Sequence, residues 1–117
     1  MTRVQTVVAN GGSAFGVDLL SPQGCARIFE EQTHGRDLVL GVPMRFGMGY
    51  GLNHPDWPLS PNANTCFWGG WGGSLVVIDT DARLCFSYVM NRMTATTLGD
   101  KRAAALAYSV YECLAGA

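Results

Sequence analysis

A chain of 117 residues has room for one domain at most. It is 48% hydrophobic and only 15% charged, its formal net charge is −1, and Lys101 is its one lysine, so nucleic acid is not an expected partner. Its apolar runs are too short to span a bilayer and "MTRVQTVVANGG" lacks the apolar stretch of a secretion signal, so no membrane partner and a cytoplasmic location are expected.

The first twenty residues read as a loop-rich, glycine-rich lead, "VANGGSAFGVDLLSPQ" at its close. Ser21 followed by Pro22 is an N-cap with proline at the first helical position. The helix is expected to run to about Gln32, with Cys25, Ile28 and Phe29 on one side and Gly35 ending it. A hydrophobic piece, Leu38 to Val42, precedes Pro43. "MRFGMGYGLN" then alternates large residues with glycine, which predicts a strand over Phe46 to Leu52 with one face nearly bare. Residues 53–65, "NHPDWPLSPNANT", form a long loop of the kind that is often functional or mobile.

"CFWGGWGGSLVVID" puts four glycines directly before a run of strand formers. Glycine weakens a strand by roughly 0.5–1 kcal/mol relative to alanine. It persists there mainly where a ligand or another backbone comes close, so this stretch is a place of approach or a sharp turn. Ser74 to Asp79 predicts a strand covered on both sides, with Leu75 and Val77 on one face and Val76 and Ile78 on the other. "DTDAR" makes a tight turn. Leu84 to Asn91 returns, with Leu84, Phe86, Tyr88 and Met90 on one face. Asp100 caps a helix over Lys101 to Ala115, whose stripe is Ala103, Leu106, Ala107, Val110 and Leu114, and Gly116 stops it. The expected class is α+β: an antiparallel hairpin, one further strand and a C-terminal helix over one face. The hairpin's other apolar face is left without cover.

Candidate chemistry outside the glycine stretch is sparse. Cys25, Cys66, Cys85 and Cys113 lie far apart with no CxxC pair and no histidine at zinc-ligand spacing, so free buried thiols are expected, with no metal and no cofactor. His34 reads as support for a helix end and His54 as a loop residue. Asp79 and Asp81 read as turn residues with local hydrogen bonds. Trp57, between Pro55 and Pro58, lines a substrate entrance or anchors its loop as a buried ring. Met44, Met48, Met90 and Met93 read as core filler, and Asn91 and Arg92 as structural residues closing a strand.

In this order, "GGSAFGVDLLSP", "DLVLGVPMRFGMGYGLN", "FWGGWGGSLVVID" and "LCFSYVMNRM" resemble the C-terminal part of the serine beta-lactamase-like hydrolases. These are the class C beta-lactamases, the low-molecular-weight penicillin-binding proteins and the family VIII carboxylesterases, the esterase branch above all. The resemblance runs from about Val8 to Leu114. It implies a beta-lactamase/DD-peptidase-like fold in which residues 1–117 are the C-terminal part and the nucleophile-bearing N-terminal part is absent. Such enzymes carry Ser-x-x-Lys, whose serine attacks a carbonyl, then Tyr-x-Asn, then Lys-Thr-Gly or, in the esterase branch, His-Gly-Gly or Trp-Gly-Gly. The third matches Trp68-Gly69-Gly70. By family logic the Trp71 N–H is one oxyanion donor and the nucleophile's own N–H is the other.

Gly69 and Gly70 then read as clearing bulk from a strand edge, because a donor must stand roughly 2.7–3.1 Å from the forming oxyanion. Trp68, Gly69, Gly70, Trp71 and Trp57 are the expected substrate-binding residues. The departures are equally plain. None of Ser13, Ser21, Ser60, Ser74, Ser87 and Ser109 has a lysine three residues on, and Tyr88-Val89-Met90-Asn91 has the wrong spacing for the second signature. Trp68 cannot anchor a substrate carboxylate by charge, so a neutral ester is the expected parent substrate ahead of a beta-lactam amide.

Three readings follow. The chain is the oxyanion side of a serine hydrolase and inactive alone. Or it is a non-catalytic module that pairs with itself, or with an N-terminal partner segment, through the bare sheet face. Or it is a degraded gene product. Leu75 to Ile78 and Leu84 to Met90 carry neither the charge nor the proline that blunts a free strand edge, which favours the first.

Overall fold

The computed structural model describes residues 1–116. Helix α1, Thr2–Ala9, is rich in β-branched residues of weak helix preference: Thr2, Val4, Thr6, Val7 and Val8. Burial holds it in place, since Val8 and Ala9 pack against Cys66, Val76 and Ile78 of the sheet. This corrects two expectations. The first residues are not a loose lead, and the second apolar face of the central hairpin is not bare. A small hairpin follows, Ser13–Ala14 (β1) and Val17–Asp18 (β2), turning on Phe15 and Gly16, both at positive φ.

Helix α2, Pro22–Ile28, is capped as expected, with Ser21 Oγ accepting from the Gly24 N–H at 3.0 Å. It stops short of Gln32. Glu30 and Glu31 would place negative charge at the helix C-terminus, and the Gln32 N–H instead donates to the Phe46 carbonyl at 2.7 Å, which draws the chain into the sheet. Thr33–Arg36 is therefore a strand, β3, with His34 and Gly35 inside it rather than at a helix end.

The main sheet has six antiparallel strands in chain order: β3, then Pro43–Phe46 (β4), Gly51–Leu52 (β5), Thr65–Gly69 (β6), Leu75–Asp79 (β7) and Leu84–Tyr88 (β8). Phe46 to Leu52 is not one strand, because residues 47–50 turn between β4 and β5. The glycines there serve close approach within the chain: a Cβ at Gly51 would stand 2.8 Å from the Phe67 ring. β7 pairs β6 with Phe67 opposite Val77, and pairs β8 with Val77 opposite Phe86. All five β7 residues are buried, as its two-faced apolar pattern predicts. β8 ends at Tyr88 rather than Asn91.

Helix α3, Lys101–Ala115, starts where predicted, with the Asp100 carboxylate accepting from the Arg102 N–H at 2.8 Å. Its buried stripe is Ala103, Ala107 and Tyr111. The two alanines pack with Phe67, Leu75 and Val77. Leu106 and Leu114, expected inside, are 49% and 52% exposed, because the small alanines let the helix sit close on a different face. Five gaps between strands make the sheet about 24 Å wide, and a single helix about 10–12 Å across covers at most half of that.

The four cysteines are free; Cys25 and Cys66 are buried, Cys85 is half-buried, and Cys113 is exposed, against the expectation that all would be buried. Among the described residues no helix is long and apolar enough to cross a membrane.

Candidate active site

The four glycines lie where β6 turns into β7. The Gly70 N–H donates to the Ser74 carbonyl at 2.9 Å and the Gly73 N–H to the Gly70 carbonyl at 3.2 Å. The Gly72 N–H donates to the Thr96 carbonyl at 3.0 Å, and Gly72 O in turn accepts from the Thr94 N–H at 3.0 Å. Gly72 and Gly73 adopt φ of +87° and +122°, a region that favours glycine. Between them and Gly70 stands Trp71, 68% exposed. Its N–H has no acceptor among the described residues, while those of Gly70, Gly72 and Gly73 are all engaged.

The space left by the first two glycines is used by the chain itself. A Cβ at Gly69 would stand 2.8 Å from Leu98 Cδ1, and one at Gly70 would collide with Ser74 Oγ. Those positions are small because the turn and the segment before α3 close on them. Clearance for a substrate, the reason expected from sequence, is a separate one for the same two glycines.

The expected substrate-binding residues fall into two groups. Trp57 and Gly69 share the wall of one apolar cavity of about 290 Å³, together with Phe67, Leu75, Leu98 and Ala104 on the α3 side of the sheet. Trp57 also anchors its loop: it stacks on the His54 ring at 5.0 Å and meets Phe67 edge-on at 5.6 Å. Trp68, Gly70 and Trp71 are outside that wall. Trp68 is 40% exposed and tilts against Phe46, centroids 5.8 Å apart.

Neither histidine is placed as a catalytic base for a serine, since no serine hydroxyl bonds to either ring among the described residues. His54 is buried; its Nδ1 accepts from the Asp56 N–H at 3.2 Å and its Nε2 has no partner. His34 lies 3.8 Å from Glu31, a carboxylate that also accepts from Arg45 Nε at 2.6 Å and is held below the usual range mainly by that bond. Among the described residues no three His, Cys, Asp or Glu side chains gather where they could hold a metal.

Asp79 is more than the turn residue expected. It is fully buried, and its Oδ2 accepts from Ser60 Oγ at 2.8 Å, Asn62 Nδ2 at 2.9 Å and the Tyr111 hydroxyl at 2.8 Å, while Oδ1 accepts from the Ala82 N–H at 2.9 Å. Burial alone would raise this carboxyl; the hydrogen bonds outweigh it and hold the group below its usual value. The sequence carried one signal of this, a single acid ending an all-apolar strand. Its partners, from the long loop and from α3, could not be read from spacing. That loop is correspondingly pinned, with Asn53 Nδ2 donating to the Ser60 and Asn62 carbonyls at 2.8 and 3.0 Å.

Asp100 fastens the glycine turn to α3. Arg102 Nη2 lies 2.6 Å away and Thr94 Oγ1 donates at 2.8 Å. The Arg102 guanidinium holds the carboxyl far below the usual range. Arg102 Nη2 also donates to the Arg92 main-chain carbonyl at 3.0 Å; Asn91 and Arg92, expected to close the strand, lie beyond its end at Tyr88.

A six-stranded antiparallel sheet with helices on both faces, a glycine turn ending β6 and a C-terminal helix behind it define an α+β fold of the beta-lactamase/DD-peptidase type. A beta-lactamase family model matches residues 5–110, and the chain belongs to that family. Among solved structures it is similar to a family VIII carboxylesterase, with 37% identity and a TM-score of 0.86 over 96% of this chain and 30% of that one. It is also similar to a penicillin-binding protein homolog from Caulobacter crescentus, with 32% identity and a TM-score of 0.88 over 95% of this chain and 30% of that one. EstA from Arthrobacter nitroguajacolicus Rue61a shares the fold at 24% identity and a TM-score of 0.80, over 99% of this chain and 31% of its own. The chain thus spans less than a third of the length of each. No curated protein matches it.

Proposed function

We propose that this chain forms the oxyanion side of a serine hydrolase acting on neutral esters, with nucleophile and base supplied by a stretch of polypeptide outside these residues. The observation that carries the reading is the Trp71 N–H: of the amides at 70–73 it alone lacks an acceptor, and it stands at the position that the Trp68-Gly69-Gly70 signature assigns to an oxyanion donor. Acyl transfer needs such a donor fixed before charge develops, and the bonds of Gly70, Gly72 and Gly73 fix the turn that presents it. The match to a family VIII carboxylesterase favours an ester. So does the absence of a cation at Trp68. Trp57 and Gly69 border an apolar cavity that suits the hydrocarbon part of such a substrate. Residues 1–117 then act as the C-terminal part of a larger domain.

The test is a chimera in which this chain replaces the matching 30% of the family VIII carboxylesterase. The purified chain alone should not hydrolyse p-nitrophenyl esters, and the chimera should. Trp71→Pro, which deletes the N–H, should lower kcat in the chimera by about 10²–10³ with KM little changed, whereas Trp71→Ala, which keeps it, should not. Equal loss in both variants, or turnover by the isolated chain that survives a serine-reactive inhibitor control, overturns the reading.

A further inference from the structure

We propose that the cleft between the 53–64 loop and β4 is a binding site for a small organic acid: its apolar body seats on the loop prolines and its carboxylate is taken by His54 and Arg45. The inference does not depend on the function proposed above.

The cleft holds about 540 Å³, within the roughly 300–1,000 Å³ of small-molecule sites. Phe29, Leu52, Pro58 and Pro61 give it an apolar wall. Two side chains in the same wall carry a donor without an acceptor. His54 is 3% exposed, and its Nδ1 accepts from the Asp56 N–H. A ring nitrogen that accepts carries no proton, so the ring is neutral and its hydrogen is on Nε2. That N–H bonds to nothing among the described residues, and leaving a buried donor unmade is costly until something brings it an acceptor. Arg45 donates through Nε to Glu31 at 2.6 Å and through Nη1 to the Asn53 carbonyl at 2.7 Å. The second bond brings the guanidinium to the residue next to His54, and Nη2 has no acceptor among the described residues.

Both donors are held still. The His54 ring lies on Trp57, 5.0 Å away and 3° from parallel, and meets His34 edge-on at 5.6 Å. The far side of the loop is pinned by Asn53 and by the bonds of Ser60 and Asn62 to Asp79. Charge then selects the ligand. Among the described residues no acid lines the cleft, and Arg45 is its one cation. The nearby carboxylates face other groups: Glu31 takes Arg45 Nε, Asp56 is 80% exposed, and Asp79 is enclosed by its own donors. An anion with an apolar body fits this arrangement and a cation does not. The loop enters β6 at Thr65 and the glycine turn follows Gly69 at its other end, so occupancy of the cleft and events at the turn are read separately.

The experiment titrates the chain with sodium benzoate at constant ionic strength and follows the histidine rings by long-range proton–nitrogen correlation. Benzamide and benzylamine are the neutral and cationic arms. Benzoate should bind saturably and move the His54 Nε2 signal, with the Trp71 amide unmoved. Benzamide should bind at least about tenfold more weakly, and benzylamine not at all. His54→Asn can still accept from the Asp56 N–H but has no donor where Nε2 stood. That variant and Arg45→Met should each weaken benzoate at least about tenfold with circular dichroism unchanged. His54→Gln, which returns a donor near Nε2, should recover part of the affinity.

No saturable shift at His54, equal affinity for benzamide, or benzoate affinity unaltered in a folded His54→Asn or Arg45→Met chain each overturns the proposal. So does a benzoate titration that moves the Trp71 amide and leaves His54 in place, because the acid then sits at the turn.

Discussion

β3 closes the sheet on one side with Thr33, His34, Gly35 and Arg36, all exposed, whereas β8 closes the other with Leu84, Cys85, Phe86, Ser87 and Tyr88, all half-buried and none charged. The β3 side is finished for water: Glu31 bridges Arg45 and lies near His34, and Asp37 Oδ1 accepts from the Val39 and Leu40 N–H groups at 2.9 and 2.7 Å in the adjoining turn. On the β8 side one carboxylate is turned inward. Asp79, at the start of the β7–β8 connection, collects hydrogen bonds from the loop and α3, and β8 itself carries no charge. The two edges of one sheet therefore differ in chemistry, one polar and exposed, the other uncharged and half-buried.

The largest expected effect sharpens that contrast. Asp79→Ala should destabilise by about 3 kcal/mol or more, because it leaves the buried Ser60 and Tyr111 hydroxyls, the Asn62 amide and the Ala82 N–H without their acceptor. Asp37→Ala, at the β3 end, should cost about 0.5–1 kcal/mol. Urea unfolding midpoints compare the two. On α3, Ala107→Leu should cost about 1–3 kcal/mol by overpacking against the sheet, while Leu106→Ala on the outer face should change stability by less than about 0.5 kcal/mol.

A pH series follows the same carboxyl. Asp79 holds its proton less tightly in the fold than in the unfolded chain. Its stabilisation is complete above the unfolded carboxyl value of about 3.9 and is lost as pH falls through the lower folded value. Stability should hold from neutral pH downward and drop below about pH 4, and Asp79→Asn should flatten that drop; a variant curve parallel to the parent's would refute the assignment. Converting the polar edge gives a smaller effect: His34→Val with Arg36→Val should make β3 resemble β8 and raise self-association, seen by sedimentation. Smallest is thiol chemistry. Cys113 is exposed and should react with a maleimide at once, while Cys66, fully buried with its thiol pushed up to about 12 by burial, should react only on unfolding.

The parts legible in sequence were those set by local pattern: the two-faced run of β7, the Asp100 cap of α3, the Ser21-Pro22 start of α2 and the ordered motifs of the family. The misses came from long-range packing. The eight residues of α1 look unhelical, and contact with Val76 and Ile78 decides them. Thr33–Arg36 shows no apolar alternation, so nothing marks it as a strand until Phe46 pairs with Thr33. Of the expected α3 stripe, Ala103 and Ala107 are buried, while Leu106 and Leu114 are exposed and Tyr111 takes the inward place, drawn by its hydrogen bond to Asp79. At the candidate site the Trp68–Trp71 stretch was visible; that Leu98 and Ser74 close over Gly69 and Gly70 was not.

The carboxylate of Asp79 has one more consequence. Ser60 and Asn62 reach it from a loop and Tyr111 from a helix, so one side chain acts as a keystone joining these two stretches to its own hairpin. Removing its charge weakens all of these bonds together. Loop, hairpin and terminal helix should therefore come apart in a single step, with no ordered sequence of partial openings.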